Sequence, residues 1–217
     1  MILIYLILEV ISGFLAVLPF IVFIQVMLMR GFHKNGIAQS SWHLIGVYGL
    51  ILILVGMLSV TGIPNIYNLH FITNMNWVPF KDITTNHVQY VLNIILFVPL
   101  GLFMPLLWKR FASLQKVLSI SFLFSLTIEL SQLFNFRTTD IDDLLMNTLG
   151  GVLGFYLFKL VNHIGPNIVK KLQLVAPPTY IGKKLIKFES NLYILTTWLS
   201  AFMLQPVISK FTYVLFF

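Results

Sequence analysis

Six stretches of this chain stay apolar for roughly the 20 residues that a helix needs to cross a bilayer: about 4–29, 43–63, 88–108, 113–134, 141–162 and 191–213. With 58% hydrophobic and 10% charged residues and a mean hydropathy of +0.91, the chain cannot surround itself with a polar shell. The class expected is an all-α integral membrane protein with about six transmembrane helices. The first run lacks the basic leader and small-residue cleavage site of a signal peptide, and is too long for one, so it reads as a span.

Lysine and arginine resist translocation and collect in cytoplasmic connections. Alternate connections hold Arg30 and Lys34, then Lys109, Arg110 and Lys116, then Lys159, Lys170, Lys171, Lys183, Lys184 and Lys187. The other side keeps Lys81, Arg137 and Lys210, which predicts both termini outside. Asp82, Glu129, Asp140, Asp142 and Asp143 fall on or near that outer side, as does Glu9, and Glu189 falls in the cytoplasmic connection. The net charge of +7 is thus a topology signal, and without a stripe of stacking aromatics it does not indicate nucleic acid. The absence of cysteine removes disulfides, thiolate chemistry and Cys-type zinc sites.

Four segments are expected: two transmembrane helices in 1–63, an outer loop and three helices in 64–163, a basic cytoplasmic connection in 164–190, and a last transmembrane helix in 191–217. The outer loop, Pro64 to His87, mixes aromatics and amides. It reads either as a cap anchored by Trp77, Pro79 and Phe80 or as an ordinary interfacial loop with its Trp at headgroup depth. The basic connection reads as one or two amphipathic pieces along the cytoplasmic surface, broken at Pro177–Pro178.

Polar residues recur at one depth. On a helical wheel of about 100° per residue, Asp143, Asn147 and Gly154 share a face with Asp140, and Gly151 lies close by, whereas Asp142 points the other way. Ser125, Glu129 and Gln132 share a face of the fourth run, and Asn93 belongs to the third. At about 1.5 Å per residue, Asn93, Glu129 and Asn147 each lie one to two turns below the outer surface. A bare carboxylate in hydrocarbon costs several kcal/mol, so Glu129 must meet protein, water or a ligand. Arg137, in the connection after it, can pair with Glu129 or Asp140. The layer therefore reads as a ligand site or as a Glu, Arg and Asp network that fixes helix packing. Pro99, Pro105 and Gly101 predict a kink near Phe97 to Gly101.

Taken together, "WVPF" at Trp77–Phe80, "NIILFVPLG" with Asn93, Phe97, Pro99 and Gly101, "SLTIELSQ" with Glu129 and Gln132, and "RTTDIDDLLMNTLGG" with Arg137, Asp140, Asp143, Asn147 and Gly150 resemble the VanZ family of bacterial membrane proteins. The resemblance runs from about Trp77 to Phe158 and leaves the two N-terminal helices and the last helix outside. It implies a multi-pass protein of the bacterial plasma membrane with a part in resistance to teicoplanin-type glycopeptides, and it supplies no catalytic residues.

The leading expectation is a non-enzymatic envelope protein with an outer-leaflet polar notch that binds a lipidated or lipid-linked molecule. Asn93, Glu129, Gln132, Arg137, Asp140, Asp143 and Asn147 are the ligand-binding candidates, and Trp77, Pro79 and Phe80 the capping loop. Expected partners are membrane lipids, with a lipid-linked cell-wall precursor or a lipoglycopeptide as ligand, and no cofactor. The alternative is an intramembrane hydrolase or transferase on an envelope lipid. There Glu129 acts as general base, and Asp140 with Asp143 holds a divalent cation. A transporter is disfavoured by the lack of an inverted repeat and of a polar path through the inner halves of the helices.

Overall fold

In hydrocarbon, a single chain segment can satisfy its own backbone polar groups only as a helix, and each apolar run does so. The structure, a computed structural model, describes residues 2–62, 69, 71, 75–80, 87–134, 139–175 and 179–216. Five helices are long and apolar enough to cross a membrane, six spans in all if a bent pair of helices crosses as one, so the chain is a multi-pass membrane protein. The chain divides into two units, Tyr67–Gln173 and Met1–Ile66 with Leu174–Phe217.

The central unit contains α3 (His87–Leu107), α4 (Leu114–Gln132), α5 (Ile141–Ile164) and the short α6 (Pro166–Leu172). A 3-10 turn, Lys109–Phe111, follows α3. The strands β1 (Met75–Asn76) and β2 (Thr139–Asp140) pair in parallel, with Asn76 opposite Asp140. Glycine lets α5 pack closely on both neighbours. A Cβ at Gly150 would stand 2.2 Å from the Ile94 carbonyl oxygen, and one at Gly154 would stand 2.1 Å from that of Val98, both on α3. A Cβ at Gly151 would meet Ser121 Oγ of α4 at 2.0 Å, and one at Gly101 would meet the Gly151 carbonyl oxygen at the same distance. Such small-residue contacts replace the hydrophobic drive that is missing between helices in lipid. α3 runs unbroken through Pro99 and Pro105. Away from these helices' packed faces, Val88, Val91, Leu92 and Ile95 of α3 and Leu149, Leu153 and Leu160 of α5 are exposed, an apolar surface suited to lipid.

The other unit contains α1 (Ile2–Lys34), α2 (Ser41–Thr61), α7 (Tyr180–Met203) and α8 (Gln205–Phe216). The last span differs from the straight helix expected over 191–213. α7 begins eleven residues earlier, at Tyr180, and meets α8 at a 58° bend around Leu204. Pro206 explains the break: it offers no N–H to the Phe202 carbonyl and its ring crowds that turn. The Val207 N–H bonds the Leu204 carbonyl instead, at 3.0 Å. α7 thereby absorbs the second half of the basic connection, and Lys183, Lys184 and Lys187 ride on its first turns.

Glu189 also departs from expectation. It is fully buried within α7, where Oε1 accepts a hydrogen bond from Gln39 Nε2 at 2.9 Å and lies 3.5 Å from His43 Nε2. Counting charges assigned it to a connection because the sequence does not show that α7 starts so early.

Candidate functional site

α5 opens with acids because a helix N-terminus offers unpaired N–H groups and the positive end of its dipole. Asp140 is the N-cap, extended at φ −123° and ψ 129°, and its Oδ1 accepts the Asp142 N–H at 2.9 Å. Its own N–H donates to Glu129 Oε2 at 3.0 Å, which ties the end of α4 to the start of α5. Asn76 Nδ2 approaches both Asp140 carboxylate oxygens at 3.3–3.4 Å, beside the two-residue ladder.

Asp142 corrects the wheel reading. Instead of pointing away, it is 1% exposed and accepts the Phe80 N–H through both oxygens, at 2.9 and 3.0 Å, and the Tyr90 hydroxyl at 2.6 Å. The wheel fails because its phase was taken from Asp140, whose extended backbone precedes the helix. Asp142 fastens the 75–80 segment to the top of α3 and α5. The only sequence signals for this were its place in the first helical turn and its cost if left bare in an apolar setting.

Residues 75–80 make a short strap. Asn76 Oδ1 accepts the Val78 N–H at 3.3 Å in a side-chain turn. Phe80 holds φ +59°, a conformation uncommon for a bulky residue, while Asp142 grips its N–H. Trp77, Val78 and Phe80 are 67%, 58% and 46% exposed, so the strap carries an apolar outer face above a polar base.

The other candidates separate into two groups. Asp143 accepts from Asn93 Nδ2 and lies 3.4–3.5 Å from Gln89 Nε2; Asn93 and Asp143 are half-buried and Gln89 is exposed. Asp140 is half-buried as well. Glu129, Gln132 and Asn147 are buried, at 3%, 3% and 2% exposure. Asn147 Nδ2 donates to Ser125 Oγ at 3.0 Å, joining α5 to α4 below the carboxylates, while Asn147 Oδ1 finds no donor among the described residues. Packing therefore uses the lower polar groups, and the accessible face belongs to Gln89, Asn93, Asp140, Asp143 and the strap. Tyr90, Gln89 and Asn76 join the site without having been singled out, because a lone tyrosine or amide near a helix end carries no distinguishing pattern. Arg137 lies outside the described residues. Among the described residues no three His, Asp or Glu side chains converge as a metal site.

The VanZ/LLP1 family profile matches residues 45–162, which takes in most of α2, the strap and α3 to α5. The chain belongs to the VanZ/LLP1 family. The match reaches further toward the N-terminus than the motifs from Trp77 onward, so α2 belongs to the family region and not outside it. Protein VanZ of Enterococcus faecium is 37% identical over 101 residues, which are 46% of this chain and 61% of that protein. The match thus spans less than two thirds of the relative's length. No solved structure matches the chain.

Proposed function

We propose that this VanZ/LLP1 protein acts in the bacterial plasma membrane in resistance to teicoplanin-type glycopeptides, by holding a lipidated or lipid-linked envelope molecule beneath the 75–80 strap. The observation that carries this reading is the strap itself. Exposed Trp77, Val78 and Phe80 stand on a backbone that Asp142 holds by the Phe80 N–H and that Asn76 ties to half-buried Asp140, and on the same first turn of α5 half-buried Asp143 accepts from Asn93. An apolar rim over a polar base suits a molecule with an acyl tail and a hydrogen-bonding head. In this reading the strap meets the tail. Asn93, Gln89 and the carboxylates meet hydroxyl, amide or amine groups of the head, and Arg137 offers a cation to an anionic group.

The test is teicoplanin susceptibility in cells expressing the chain, with a glycopeptide lacking an acyl tail as the comparison. Trp77→Ser combined with Phe80→Ser, and separately Arg137→Ala, should return susceptibility to that of cells without the protein, at unchanged membrane levels. Parental resistance in both would defeat the proposal. Lipids extracted from the same cells distinguish holding from chemistry: a lipid species converted by the parent and not by Glu129→Gln would replace the binding role with a transferase or hydrolase.

A further inference from the structure

The unit formed by α1, α2, α7 and α8 carries a basic face that the site above does not use. α7 begins at Tyr180, where Thr179 Oγ1 caps the helix by accepting the Gly182 N–H at 3.2 Å. At about 1.5 Å per residue its 24 residues run roughly 36 Å, longer than the ~30 Å hydrocarbon core. One end can therefore stand among the headgroups. The first two turns, with Lys183, Lys184 and Lys187, are the part that hydrocarbon rejects.

On a helical wheel of about 100° per residue, buried Gly182, Ile186, Glu189 and Tyr193 form one side of α7, and Tyr180, Lys183, Lys184, Lys187, Phe188 and Asn191 form the opposite, exposed one. Those six residues line a groove of about 510 Å³. The ammonium groups of Lys183, Lys184 and Lys187 meet no carboxylate among the described residues. The nearest acid along the chain, Glu189, turns to the buried side, where Gln39 holds it beside His43. Three cations are thus gathered on one face without an internal counter-charge.

Beyond the lysines the same side of the helix turns apolar. Ile181, Phe188, Leu195 and Leu199 are all exposed and fall within about 40° of one another on the wheel, so an apolar stripe continues from the groove along α7. We propose that this groove holds an anionic phospholipid, with Lys183, Lys184 and Lys187 meeting its phosphate and Phe188, Leu195 and Leu199 its acyl chain. A soluble anion would use the lysines and leave the stripe bare. A zwitterionic lipid would bring a cation of its own beside the three ammonium groups, which cancels much of the attraction.

The full chain is reconstituted in nanodiscs of phosphatidylcholine with phosphatidylglycerol as the minor lipid and released into a mass spectrometer, where the retained lipid is identified. Relative to its share of the bilayer, phosphatidylglycerol should be retained over phosphatidylcholine by at least about tenfold, since each lysine near a phosphate contributes on the order of a fivefold preference. Lys183→Gln, Lys184→Gln and Lys187→Gln combined should lower that preference at least about tenfold, and arginine at the same three positions should keep it. Lys109→Gln, Lys116→Gln and Lys170→Gln combined remove the same charge from the other unit and should leave it unchanged. All six lysines are exposed, so both triple variants should match the parent's melting temperature in detergent. Soluble glycerol phosphate should not displace the lipid. No preference in the parent, equal losses in the two glutamine triples, or displacement by glycerol phosphate overturns the proposal.

Discussion

Asp142 shows how one side chain can organise a segment distant in sequence. Its oxygens satisfy the Phe80 N–H and the Tyr90 hydroxyl in a place with 1% exposure, so deleting it strands two donors. Asp142→Ala should destabilise the protein by about 2–4 kcal/mol, given the strength of hydrogen bonds to a charged group and the penalty for buried unpaired donors. Thermal unfolding in detergent reads this as a lowered melting temperature, and Tyr90→Phe, which removes one bond, should lower it less. Phe80 makes the opposite test. Its φ of +59° stores strain on the order of 1 kcal/mol that glycine does not bear. Phe80→Gly should leave the melting temperature at or above that of the parent while reducing teicoplanin resistance, which separates the aromatic's role in function from any role in folding. The carboxylates at 140–143 were legible as a polar cluster near the start of a helix, and in the fold Asp143 accepts from Asn93 of α3. The inward turn of Asp142 was not legible, because it depends on where the extended N-cap ends and the helical phase begins.

At the scale of elements, α5 is held by contacts that only hydrogen-sized side chains permit. Gly154→Ala would push a methyl to 2.1 Å from the Val98 carbonyl oxygen and 2.8 Å from the Leu102 backbone nitrogen, neither of which can move without displacing α3. Overpacking of this kind costs about 3 kcal/mol, and the variant should unfold at lower temperature and extract poorly from membranes. Gly56→Ala on α2 is the matched control. Apart from the backbone of its own helix, no atom lies within 4 Å of its added carbon, so helix propensity alone should act, raising stability by up to about 1 kcal/mol. The sequence placed Gly151 and Gly154 near the polar face of α5 and Gly101 at an expected kink. Which glycine meets which helix required the assembled structure: Gly150 and Gly154 face α3, and Gly151 faces Ser121 on α4. The bend between α7 and α8 was missed for a related reason. Apolar length reports that a span exists and says nothing about its straightness, although Pro206 was a usable warning.

For the whole molecule, the basic residues set an expectation of sidedness that can be measured directly. Because the chain contains no cysteine, a single introduced cysteine gives an unambiguous label. Trp77→Cys, on the strap, should react with a membrane-impermeant maleimide in intact cells, and Lys170→Cys, at the end of α6, only after permeabilisation. Labelling of Lys170→Cys in intact cells, with Trp77→Cys protected, would reverse the orientation and move the strap away from any extracellular glycopeptide.

The sequence by itself determined the membrane class and the presence of five to six spans, because both follow from local hydropathy and from the regular rise of a helix. It also carried the family, through motifs short enough to read along one chain. Only the tertiary structure decided which of the polar groups in α3 to α5 serve packing and which stay accessible. Glu129 and Asn147 bond Asp140 and Ser125, whereas Asp143 and Asn93 pair with each other and remain half-buried. It alone brought Glu9 to Gln205, Ser209 and Tyr213, some two hundred residues later. Pairing across such separations is fixed by how helices pack, and the hydropathy of each helix carries no record of its partner's phase.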